Sequence, residues 1–110
     1  MILSKDLVAA SAVPLLLGIL AEGPSYGYAI AKRVLELSCD EIRWSEGMLY
    51  PVLHRLEEQG SVESSWQESE TGRRRRYYGI TRAGRSELDR QREQWDLVRQ
   101  TLDRAWKPDR

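Results

Sequence analysis

Four arginines stand in a row at Arg73–Arg76, and Arg82 and Arg85 follow. A guanidinium stays charged at every physiological pH and presents a planar fork of donors that fits a phosphate. The acids nearest in sequence are Glu68 and Glu70, too few to neutralise the run. Arginines carried on a ribbon can clamp phosphates or enter a minor groove. The competing reading is a solvated basic turn balanced by its neighbours. A second set of residues lies upstream in SEGMLYPVLHRLEEQG, Ser45 to Gly60. Leu49, Val52, Leu53 and Leu56 recur there at helical steps and share one face. Left off that face are Glu46, Gly47, Tyr50, Pro51, His54 and Arg55. A merely solvated face is usually filled with Lys, Glu and Gln. This one is small at its N-terminal end, then aromatic, then cationic or hydrogen-bonding, which suits a helix lying in a DNA major groove. An ordinary amphipathic helix would also satisfy the pattern, and this stretch alone does not separate the two.

Other chemistries lack their residues. His54 is the only histidine and Cys39 the only cysteine, so neither a zinc cluster nor an intrachain disulfide can be assembled. Asp40 and Glu41 follow Cys39 and disfavour a thiolate, which leaves a structural thiol. No nucleophile–base pair, phosphate loop or metal set appears, so neither catalysis nor a cofactor is expected. The net charge is zero across 110 residues, which excludes a globally basic nucleic-acid binder and requires any DNA contact to come from a local patch. The apolar run Leu15–Leu20 is far shorter than the roughly 20 residues a membrane span needs. Lys5 ahead of that block faintly resembles a signal peptide, but Asp6 and Pro14 speak against one.

These residues need elements to position them. Ser4 can cap a first helix, which Pro14 should kink or break. Leu15, Leu16, Ile19 and Leu20 form its expected buried stripe. Gly23-Pro24 is a turn, and Ser25 then caps a second helix from Tyr26 to about Leu37, with Ile30, Val34 and Leu37 inward. A short link, Cys39–Trp44, leads to the third helix, which Ser45 caps and Gly60 stops. Two helices joined this tightly make a helix-turn-helix. Pro51 inside the third helix should distort it locally and re-aim Tyr50. Beyond Gly60 the period changes to two. Val62, Ser64 and Trp66 alternate with Glu63, Ser65 and Gln67, and a polar tip over Glu68–Gly72 returns the chain through the arginines. Alternation puts Arg74, Arg76, Tyr78 and Ile80 on one face, with Arg73, Arg75 and Tyr77 on the other. The expected fold is mostly α with a small β hairpin.

Thr81 can cap a last helix running to about Trp106, ahead of Pro108. Leu88, Trp95 and Leu102 are seven apart, with Val98 and Ala105 at the complementary position and Gln91 interrupting the seam. Arg92–Asp96, Arg99–Asp103 and Asp103–Lys107 are flanking pairs at helical spacing. So narrow a seam on so long a helix asks for a partner chain, and a homodimer is expected. The interface would hold Leu88, Gln91, Trp95, Val98 and Leu102. Trp95 rings from two chains could sandwich a planar aromatic ligand, or Trp95 could be interface packing alone. Trp44, Trp66 and Trp106 are expected at core or edge positions.

Three stretches, YGYAI at Tyr26–Ile30, GMLYPVLHRLEEQG at Gly47–Gly60 and RRRRYYGITRAG at Arg73–Gly84, carry a resemblance. In type, order and separation they resemble the PadR family of winged-helix transcriptional regulators. The short C-terminal part is similar to the smaller subfamily with a single dimerisation helix. The resemblance implies a winged helix-turn-helix DNA-binding domain over residues 1–81 and a dimerisation helix with its tail over 82–110. It implies a bacterial, cytoplasmic, dimeric repressor, often responsive to a small aromatic or drug-like compound. DNA contacts would fall on Tyr50, Pro51 and His54, on Ser45 and Gly47 where the third helix begins, and on the wing's Arg73, Arg74 and Arg75. Tyr26, Tyr28 and Lys32 would touch phosphates. Leu49, Leu53, Leu56, Tyr78 and Ile80 would be core.

The expected partners are therefore double-stranded DNA with a pseudo-palindromic operator, a second copy of the chain and a small aromatic effector, with no membrane. The alternative is a winged-helix adaptor that binds protein without DNA. Such an adaptor has no use for four clustered arginines.

Overall fold

The computed structural model describes residues 1–108 and places α1 over Lys5–Ala21, α2 over Gly27–Leu37 and α3 over Glu46–Glu58. The strands β1, Val62–Glu68, and β2, Arg74–Ile80, follow, and then α4, Arg82–Ala105. Positions 109 and 110 of the expected C-terminal unit lie outside the described residues. Ser4 caps α1 by accepting from the Leu7 N–H at 3.2 Å. Of the two outcomes expected at Pro14, a break does not occur: α1 runs through it as one helix. The carbonyl that loses its donor belongs to Ala10, which is exposed and can turn to water. Burial of Ala12, Leu16, Leu17, Ile19 and Leu20 on both sides of Pro14 then holds the helix together. Leu17 belongs to this core, whereas Leu15 is only half-buried.

Ser25 does not cap α2. The cap residue is Tyr26, with no side-chain hydrogen bond. Ser25 is committed elsewhere: it exchanges backbone hydrogen bonds with Tyr78 of β2, at 2.9 and 2.7 Å. That bridge ties the start of α2 to the hairpin. Ile30 and Val34 are buried as expected, but Leu37 is exposed at the helix end. The chain leaves α2 through two left-handed residues, Cys39 and Asp40, at φ 52° and 67°.

Ser45 caps α3 by accepting from the Met48 N–H at 3.2 Å. The helix buries Leu49, Val52, Leu53 and Leu56. It stops at Gly60, whose φ is +80°. There the Ser61 N–H reaches the Leu56 carbonyl at 2.9 Å and the Gly60 N–H the Glu57 carbonyl at 3.0 Å, the paired bonds that a left-handed glycine allows. Pro51 lies inside α3, which remains one continuous α-helix.

The hairpin is antiparallel, with Val62 opposite Ile80, Trp66 opposite Arg76 and Glu68 opposite Arg74. The tip is therefore Ser69–Arg73, one residue later than predicted, and Gly72 there has φ +80°. Thr81 caps α4 by accepting from the Gly84 N–H at 3.0 Å. Gly84 is the one buried residue of α4. A Cβ at that position would collide with the Ser61 carbonyl oxygen and stand 2.8 Å from Ile80 Cγ1. Leu88 packs against the core from α4 and Trp95 is half-buried, while Leu97, Val98, Leu102 and Trp106 are exposed. Gln91 donates to Glu87 at 3.0 Å. Hydrogen bonds from Gln91 and Arg90 hold the Glu87 carboxyl below its ordinary pKa. Arg99 reaches Asp96 at 3.4 Å and Asp103 at 3.9 Å. Trp44 is core as expected, whereas Trp66 and Trp106 are exposed, at 56% and 71%.

Candidate nucleic-acid interface

A groove of about 730 Å³ opens between the start of α2, the N-terminal half of α3 and the hairpin. Its floor and walls are aromatic: Tyr26 and Tyr28 from α2's start, Tyr50 from α3, Trp66 and Tyr78 from the strands. Arg73–Arg76 line one side, and Glu46 and His54 of α3 line the other. Tyr50 does not point outward. It is half-buried and packs on the core, with its phenol ring against Gly27. A Cβ on Gly27 would overlap the Tyr50 hydroxyl and stand 3.0 Å from Cζ. The missing side chain at Gly27 is thus what seats Tyr50 in the groove wall.

The four arginines divide. Arg76 is bound to the fold: its Nε donates to Ser64 Oγ at 3.1 Å, and its guanidinium lies 3.7 Å from Glu57 Oε1. Ser64 Oγ in turn donates to Glu57 Oε2 at 2.6 Å. Arg75 lies 4.4 Å over the ring of Tyr26, and Tyr26 meets Tyr77 edge-on at 5.3 Å. Arg74 and Arg76 both approach the Trp66 ring, at 5.4 and 5.7 Å. Such stacking orders a guanidinium while leaving its N–H fork free to bond. Among the described residues Arg73, Arg74 and Arg75 form no ion pair. Burial pushes the Tyr78 hydroxyl pKa up, so the residue beneath the arginines stays neutral.

Ser45, Gly47, Pro51 and His54 are all exposed along α3. Nothing but the Ser45 hydroxyl, 3.9 Å away, approaches the space beside Gly47. That end of the helix is open to close contact, although Ser45 Oγ is already engaged as the cap. Tyr28 is exposed on the groove edge. Lys32 is not brought to the groove. It lines a separate depression with Glu22 and Arg33, where Arg33 donates to both oxygens of Glu22, at 2.9 and 2.8 Å. Sequence reasoning missed three participants: Trp66, Glu57 and Ser64. Counting the hairpin register would have found Trp66, because its pairing with Arg76 places an aromatic ring beside the arginine row.

The profile of the Transcriptional regulator PadR-like family matches residues 16–90. The chain belongs to this family. The PadR match spans α2, α3, the hairpin and the first third of α4, and so contains every wall of the groove. A transcriptional regulator of Mycobacterium tuberculosis is 46% identical over 68 residues, covering 61% of this chain and 63% of that protein. A transcriptional regulator of Clostridium thermocellum is similar in structure, with a TM-score of 0.85 and 30% identity over 94% of this chain and 100% of that one. A PadR family regulator of Eggerthella lenta superposes with a TM-score of 0.80 at 30% identity, over 94% and 88%. This PadR-like chain is accordingly a transcriptional regulator. Among its described residues no helix is long and apolar enough to cross a membrane.

Proposed function

We propose that this chain is a cytoplasmic repressor that binds a pseudo-palindromic double-stranded operator as a homodimer. In this reading residues 1–81 form the DNA-binding unit. Helix α3 lies in the major groove, led by Ser45 and Gly47, with Pro51 and His54 along its open side and Tyr50 in the wall behind. Arg73, Arg74 and Arg75 take the flanking backbone or minor groove, and Tyr26 and Tyr28 line the approach. The observation that carries the reading is the groove itself. In a chain of zero net charge, three arginines with no ion pair among the described residues stand on a hairpin beside an open helix face. Residues 82–110 supply the dimerising helix and tail. Trp95, Val98 and Leu102 meet a second copy, which would set the two readers about one DNA turn, ~34 Å, apart. A planar aromatic effector stacked on Trp95 would release the operator.

The test is fluorescence anisotropy on the regulator's own upstream DNA across a salt series. Phosphate-clamping arginines give affinity that falls steeply with salt. Binding indifferent to salt, or absent at low salt, overturns the proposal.

A further inference from the structure

Glu57 is an acid beside a groove read as taking an anionic backbone. It lies one turn beyond His54 on α3 and is half-buried. Both its oxygens face the hairpin, one on Ser64 of β1 and one toward Arg76 of β2. Ser64 closes the set by accepting from Arg76 Nε. The three side chains thus join the reading helix to each strand of the wing. The only covalent connection there is the turn Gln59–Ser61, and an isolated two-stranded ribbon is marginal in water. Ser64 also faces Tyr78 across the ladder, and Tyr78 is buried in the core, so the set is anchored from below.

Resting on the DNA-binding reading above, we infer that Glu57 is a positioning residue that fixes the wing's stance against α3 and withholds Arg76 from the phosphates. The consequence is discrimination between sequences. Contacts to the backbone set the register in which a reading helix meets base edges. A wing held at one angle allows one register, and a loose wing allows several. Withholding one cation also lowers the sequence-independent part of the affinity, which is the background against which an operator must be found.

The experiment uses the full chain and two duplexes, an operator selected with the wild-type protein and a scrambled version, each titrated over a salt series. Glu57→Ala should bind the scrambled duplex more tightly, and its log–log salt slope should steepen by about 0.9 as Arg76 finds a phosphate. Its operator-to-scrambled ratio should fall by roughly tenfold, the scale of one mismatched base pair. Ser64→Ala keeps every charge, so it should lower the ratio without steepening the slope. Restoring the acceptor with Glu57→Gln should recover part of the ratio. If Glu57→Ala shifts both duplexes by the same factor, or only lowers the melting temperature, the positioning role is overturned. Should Glu57→Ala not fold, an unchanged ratio in Ser64→Ala overturns it equally. A wild-type chain that binds neither duplex sinks the DNA-binding reading itself, which a discriminating wild type with an equally discriminating variant would leave standing.

Discussion

At the scale of single residues, two glycines leave room that any side chain would fill. Gly84 seats α4 on the Ser61 carbonyl, where an added methyl would meet backbone and not a side chain that could swing away. Gly84→Ala should therefore destabilise the fold by about 3 kcal/mol, the upper range for overpacking. Urea unfolding would register this as a lower midpoint at unchanged slope. Gly27→Ala presses instead on the far end of Tyr50, so the phenol should move at a smaller cost in stability. Glu22 provides a test by pH. Its hydrogen bonds from Arg33 hold its carboxyl below the ordinary value. A depressed carboxyl stabilises the fold above the normal carboxylate range and loses that effect as pH falls through its own lowered pKa. Melting curves of the wild type and Glu22→Gln should therefore differ near neutrality and converge in acid.

At the scale of elements, the wing is where positive charge is concentrated. Arg74→Ala with Arg75→Ala should weaken binding to all duplexes alike and flatten the salt slope by ~2, about 0.9 for each phosphate no longer neutralised; an unchanged slope would show that these side chains face away from the DNA. Much of this element is legible in the sequence. The alternation Val62–Ser64–Trp66 and the return through Arg74–Tyr78 are visible without coordinates, because a strand's period of two leaves few choices. Helix α3 is legible too, since its cap, its stripe and its stop all agree. The division of the four arginines is not, because the acid that binds Arg76 comes from another element, Glu57. Ser25 misleads for a similar reason: a serine before a helix looks like a cap until a strand claims its backbone. Pro14 misleads because a local rule meets a helix held by burial on both sides. The hydrophobicity of Trp66 suggests core or edge, whereas its place is set by pairing with Arg76 on an exposed ribbon.

The whole molecule is elongated, with extents of 60 × 30 × 21 Å, and its outer helix leaves Leu97, Val98, Leu102 and Trp106 uncovered. The heptad spacing of Val98 and Leu102 is visible in the sequence. Leu97 is not, since it falls outside that seam. Light scattering on the purified chain should give twice the monomer mass. Val98→Asp with Leu102→Asp should give monomers that retain helical circular dichroism and lose operator affinity by more than a hundredfold, as two half-sites are no longer bound together.

The Ser61 carbonyl has a mechanical consequence. It accepts the Thr81 N–H at 3.0 Å and bears directly on Gly84, while the Thr81 hydroxyl donates to the Gly60 carbonyl at 2.6 Å. The end of α3, the root of the hairpin and the first turn of α4 are thereby riveted at one point. The 24 residues of α4 extend from that rivet for about 36 Å at the usual helical rise. A swing of about 5° at the fulcrum carries the free end through roughly 3 Å by that same length, and a push on the free end is delivered, geared down, to the roots of α3 and the hairpin.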